Sequence, residues 1–202
     1  MESDVLAVAA TALLATVFVS SAVGKLRDLS GFTDSLVALG LLRSRATRAP
    51  VWLVPAVEAF AAVALVVALF GPSVWISRGA AAVSFTLMAV FTVVAARAVL
   101  RGDEARCACF GHRGAAFAPR HIVRNAFLLL ATATLGAVAS PTVVTATPSV
   151  GVAAAVGVLF AVLVIALDDL AELFRPVSGT VGDTTRQTTR RRTPVPALRR
   201  RG

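Results

Sequence analysis

The stretch VWLVPAVEAFAAVALVVALF, residues 51–70, decides the fold: in twenty consecutive residues only Glu58 carries a charge. A helix rises 1.5 Å per residue and the hydrocarbon core of a bilayer is about 30 Å thick, so about 20 apolar residues make a helical span. Four further runs of this kind lie at residues 5–23, 79–100, 122–139 and 150–167. None alternates with the period of two that a barrel strand needs, and each is longer than such a strand. The expectation is an all-α protein, a polytopic transmembrane helical bundle of four core helices plus a fifth. Composition agrees. Hydrophobic residues make up 57% of the 202 residues and charged residues 15%, against roughly 25% charged in soluble domains. The first run is preceded by the acidic flank Met1-Glu2-Ser3-Asp4 and is too long for a signal peptide, so it reads as a retained helix.

The basic residues sort by loop. Lys25, Arg27, Arg43, Arg45 and Arg48 lie between the first two runs, and Arg97, Arg101, Arg106, Arg113, Arg120 and Arg124 lie between or beside the third and fourth. Eight more arginines follow the fifth run, from Arg175 to Arg201, whereas the remaining two connections hold only Arg78. Positive charge on alternate loops predicts a multi-pass protein of the cell membrane, with the N-terminus outside and the C-terminus in the cytoplasm. The net charge of +9 is therefore topology charge. With no interleaved aromatics and no recognisable module, nucleic acid is not an expected partner.

Within residues 26–42, Leu29, Phe32, Leu36, Leu39 and Leu42 recur at steps of three and four. That spacing predicts a short interfacial amphipathic helix, lying on the membrane surface or packed on the bundle. Residues 175–202, rich in Thr, Pro, Gly and Arg, predict a disordered basic tail held near anionic lipid. Asp168, Asp169 and Glu172 read as solvated residues beyond the fifth span.

Both cysteines of the chain stand together as Cys107-Ala108-Cys109, followed by Phe110, Gly111 and His112. Neighbouring Arg106 and Arg113 favour the thiolate, the reactive form. A disulfide across one intervening residue closes a strained ring, and strained disulfides are the labile, catalytic kind. A zinc reading would gather Cys107, Cys109, His112 and His121. The C-x-C-x-x-H spacing is not a standard one, so no metal is assigned, and His121 reads equally as an interfacial side chain.

Glu58 is the other outlier, because a carboxylate in the bilayer costs about 2.5–3.5 kcal/mol even on lenient insertion scales. It should face the interior with a cation, and Lys25 and Arg124 are the candidates. A helix-locking ion pair and a proton or solute site are both readings of this residue. Pro55, three residues earlier, should kink the helix or lie near its start. Arg124 and Asn125 are placed to tie the fourth span to the cysteine loop.

Taken together, Ser21-Ala22-Val23-Gly24-Lys25-Leu26, Pro55-x-x-Glu58, Cys107-Ala108-Cys109-Phe110-Gly111 and Arg124-Asn125 resemble the MauE family of methylamine-utilisation membrane proteins, relatives of the DoxX-like bundles. The resemblance covers about residues 5–140 and departs at Ala108, where the family usually has Gly. It divides the chain into a MauE-like transmembrane domain at 1–140, a fifth helix at 141–174 and the tail at 175–202. The resemblance implies thiol–disulfide redox maturation of a partner such as the disulfide-dense small subunit of methylamine dehydrogenase. A thioredoxin-like, MauD-type protein would work alongside. It carries Cys107 and Cys109 over as the redox pair, and Gly24, Lys25, Glu58, Phe110, Gly111, Arg124 and Asn125 as shared motif positions. No cofactor is fixed by the residues; a membrane quinone is the acceptor such an oxidase would need. The alternative is a non-catalytic assembly factor or a small-solute carrier using Glu58.

Overall fold

A computed structural model describes residues 2–42, 49–71, 73–101, 106–107, 115–116, 119–138 and 147–173. The chain is a helical membrane bundle. Its elements are α1 (Glu2–Arg27), α2 (Leu29–Ala38), α3 (Ala49–Phe70), α4 (Val74–Arg101), β1 (Arg106–Cys107), β2 (Ala115–Ala116), α5 (Pro119–Val138) and α6 (Pro148–Leu173). Helix α1 is the hub, packed against α3, α5 and α6, while α4 packs against α3 and α5. A helix so placed supplies the central wall of the core. Leu14 and Phe18 of α1, Ala61 and Leu65 of α3, Ala81 and Met88 of α4, Leu128 of α5 and Ala161 of α6 share one buried cluster.

The distribution of side chains is that of a membrane protein. Large apolar groups face outward: Trp52, Phe60, Val63, Trp75, Leu100, Leu130 and Leu159 are all exposed. The buried positions include Thr11, Ser21, Lys25, Glu58, Ser84, His121, Asn125 and Thr132, together with many alanines. Lipid is as apolar as leucine, so interhelical contact favours small and polar residues while the bulky apolar ones meet the chains. In α3 the buried residues Val51, Pro55, Glu58, Ala62 and Leu65 follow steps of four and three along one face.

Among the described residues, four helical segments are long and apolar enough to cross a membrane: Ser3–Arg27, Val51–Phe70, Val74–Arg101 and Pro148–Leu167. The run at 122–139 forms α5, with Arg120, His121, Arg124 and Asn125 in its first turns, packed on α1 and α4.

Between α1 and α3 the amphipathic segment forms a shorter helix than residues 26–42. Asp28 caps it by accepting the Gly31 N–H at 2.9 Å. Its end is set by Gly40 at φ +68, with the Leu41 N–H bonded to the Leu36 carbonyl at 2.9 Å, the six-to-one closure of a left-handed helix stop. Phe32, Leu42 and Val51 bury one another, with Leu29 and Leu36 against them. Packing on the bundle is thus the alternative that holds.

Two further differences appear. Helix α6 continues to Leu173, so Asp168, Asp169 and Glu172 follow the apolar span, which ends at Leu167, while still belonging to the helix. The stretch between α4 and α5 contains a two-residue antiparallel pairing, Arg106 with Ala116 and Cys107 with Ala115, where only a loop was expected. The tail at 175–202 lies outside the described residues.

Candidate functional site

The polar centre lies where the last turns of α1 meet the first half of α3. Ser21 and Lys25 are four residues apart and so share one helix face. Lys25 Nζ lies 2.6 Å from Glu58 Oε1 and 2.5 Å from Ser21 Oγ, and Ser21 Oγ donates to the same Oε1 at 2.8 Å. Lys25 is 1% exposed and Glu58 0%. Charges taken this far from water require a partner and hydrogen bonds, since each ion alone would lose several kcal/mol of solvation. Lys25 Nζ also lies 5.6 Å from the Phe32 ring centre and 5.3 Å from that of Phe91, within reach of both quadrupoles. The ammonium is thereby held by α1, α2, α3 and α4 together. Glu58 Oε2 has no hydrogen-bond partner among the described residues.

Of the two cations considered for Glu58, the structure selects Lys25. Glu58 thus has the buried cation partner that both readings of it require. Pro55 lies inside α3, fully buried. Its missing N–H leaves one carbonyl of the helix's first turns without its usual donor.

Beside the ion pair is a cavity of about 170 Å³, bounded by α1, α2, α4 and α5. Most of its lining is apolar, including Phe18, Phe32, Leu36, Met88, Phe91 and Leu128; Ser21, Lys25, His121, Arg124 and Asn125 supply the polar edge. His121 is 2% exposed, which corrects the interfacial expectation. The first turns of α5 lie against α1 and α4, so this ring faces the interior. Arg124 Nε approaches Asn125 Oδ1 at 3.5 Å, and Asn125 is buried.

The structure therefore brings together Lys25, Glu58, Arg124 and Asn125 from three separated motifs. Gly24 is half-buried in the last turns of α1, where its carbonyl accepts the Asp28 N–H at 3.3 Å. Cys107 is described through its backbone, in β1, and that strand lies against α2. Cys109, Phe110, Gly111 and His112 lie outside the described residues. Among the described residues no group of three or more His, Cys, Asp or Glu side chains could hold a metal ion. Phe91 was not singled out beforehand, Ser21 was named only as the first residue of a motif, and Phe32 only on an apolar helix face. For Ser21 the i, i+4 spacing to Lys25 was a usable signal, whereas Phe32 and Phe91 meet only through tertiary packing.

Comparison with known proteins gives one result. The family model described as methylamine utilisation protein MauE matches residues 3–139, a stretch from α1 through α5. No curated protein and no solved structure matches the chain.

Proposed function

The chain belongs to the MauE family, and from that premise we propose that it is the membrane component of a thiol–disulfide relay, exchanging electrons with a thioredoxin-like partner through Cys107 and Cys109. The client would be a protein that acquires disulfides, of the methylamine dehydrogenase small-subunit type. The observation that carries the reading is the position of the Cys107 strand, against α2, which in turn walls the cavity beside Lys25, Arg124 and Asn125. The Cys107 backbone thus lies at the polar end of the bundle. Exchange there would begin with a thiolate of the reduced partner attacking the Cys107–Cys109 disulfide, which leaves a disulfide on the partner and two thiols on this chain, the outgoing thiolate being favoured by the arginines on either side.

Orientation is part of the proposal. The basic connections support a cytoplasmic location for this end and for the tail, whereas disulfide delivery to an exported client needs the same loop outside. Labelling intact cells with a membrane-impermeant maleimide, with and without prior reduction, separates the two. Labelling only after reduction means an oxidised, outward-facing pair and an inverted topology. Labelling by a permeant reagent alone, without reduction, means reduced cytoplasmic thiols and rules out disulfide export. Replacing either cysteine by Ser should abolish client oxidation and leave membrane insertion unchanged. Full activity of the double variant would overturn the redox reading.

A further inference from the structure

The redox reading leaves unstated where the electrons go, and the cavity beside Lys25 has the dimensions and chemistry to answer that. We propose that it is a binding site for the headgroup of a membrane quinone. The inference rests on the thiol-redox reading for its purpose, but on the cavity for its substance.

Size is the first argument. At about 170 Å³ the space compares with the roughly 150 Å³ apolar cavity that takes up benzene, so one six-membered ring fits. Lining is the second. Phe18, Phe32 and Phe91 present aromatic surface, against which a flat ring packs by offset or edge contacts. The third is the polar edge, which collects on the α5 side at His121, Arg124 and Asn125. Because Asn125 Oδ1 is met by Arg124 Nε, what Asn125 offers a ligand is its two N–H donors. Ring carbonyls are the acceptors that suit them. Glu58 already balances Lys25, which favours a neutral ligand over an anion. Arg124 is the feature that would also suit a carboxylate, and it sets the control ligand.

Residues of α2 wall the cavity on one side and β1, with the Cys107 backbone, lies against α2, so that strand and the cavity belong to adjoining elements. In the complete step the thiols of Cys107 and Cys109 lose two S–H bonds and form one S–S bond. The two electrons and two protons released reduce the two quinone carbonyls to the hydroxyls of a quinol.

The test uses the full chain in detergent and duroquinone, whose fully substituted ring cannot alkylate thiols. Equilibrium dialysis should show saturable binding to the wild type, within twofold of the same affinity for the Cys107→Ser/Cys109→Ser double variant. Asn125→Leu should weaken binding at least tenfold. Ala95→Leu, which extends a buried lining side chain into the space, should abolish it, with thermal melting of both variants as the folding control. No saturable binding to the wild type, binding unchanged in both cavity variants, or displacement by equimolar laurate would each overturn the proposal. A wild type that binds duroquinone yet fails to reduce it when supplied with reduced thioredoxin would uphold the site and overturn the redox reading.

Discussion

Helix α1 makes two seams of opposite character. Toward α3 it presents Ser21 and Lys25, which meet Glu58 in a buried, charged, hydrogen-bonded contact. Toward α6 it presents alanines. A Cβ built on Gly157 of α6 would lie 2.2 Å from the Ala9 carbonyl oxygen and 3.0 Å from the Ala12 Cβ, so the two backbones approach as closely as side-chain loss permits. Ala153, Gly157 and Ala161, four residues apart, are all buried, the small-residue spacing by which membrane helices associate through packing alone. The family match ends at residue 139, so both sides of the polar seam lie inside the matched region, whereas the α6 side of the small-residue seam lies outside it. A directional contact such as Lys25–Glu58 defines a register between two helices; a row of small residues defines only how closely they can approach. The first kind suits a site, the second a buttress.

The sharpest way to break the contrast is to remove one charge. Glu58→Ala leaves Lys25 buried without its counter-ion, an arrangement that costs about 3–5 kcal/mol, and the thermal transition in detergent should fall accordingly. Lys25→Met combined with Glu58→Leu should restore most of it, since well-packed apolar replacements of a buried pair are often neutral. If the double variant is as unstable as the single, the pair is not what joins α1 to α3. Next in size is Phe60→Asp. Phe60 is exposed on α3 two residues from Glu58, and a carboxylate there has no partner helix to face. An insertion assay should show a cost of about 2.5–3.5 kcal/mol. No measurable cost would mean that this face does not meet lipid. Gly157→Leu tests the other seam: forcing side-chain atoms into a close backbone approach costs about 1–3 kcal/mol. The loss should appear in thermal melting with the effects of Lys25 and Glu58 substitutions unchanged on top of it, because distant sites add.

What was legible in the sequence follows the same division. The five long helices could be read from runs of hydropathy and α2 from its apolar periodicity, and Glu58 could be assigned a cation in advance, Lys25 or Arg124, because a lone carboxylate in an apolar run demands one. The residues that shape the cavity could not. Phe32 reads as the apolar face of a surface helix, Phe91 as one more apolar residue of a span, and His121 as an interfacial ring; only the packing of α2, α4 and α5 around α1 makes them neighbours. The role of the polar first turns of α5 was hidden for a related reason: hydropathy measures what a segment would do alone in lipid, while Arg124 and Asn125 line the cavity they help to build. The end of α2 was missed by a few residues because Gly40 acts through its backbone angle, to which apolar periodicity is blind.

The smallest expected effect concerns the hydroxyl at the centre of the polar seam. Ser21 Oγ donates to Glu58 Oε1 while accepting from Lys25 Nζ, so it bridges two groups that already touch at 2.6 Å. Ser21→Ala removes the bridge and leaves the ion pair. The loss should be about 1–2 kcal/mol, the range for a hydrogen bond to charged partners less what direct contact retains. In the Lys25→Met/Glu58→Leu background the same substitution should be neutral or stabilising, because the hydroxyl then has no charged partner to satisfy. A double-mutant cycle on thermal stability measures this difference directly. If Ser21→Ala costs the same in both backgrounds, Ser21 contributes through helix packing alone and the polar seam reduces to Lys25 and Glu58.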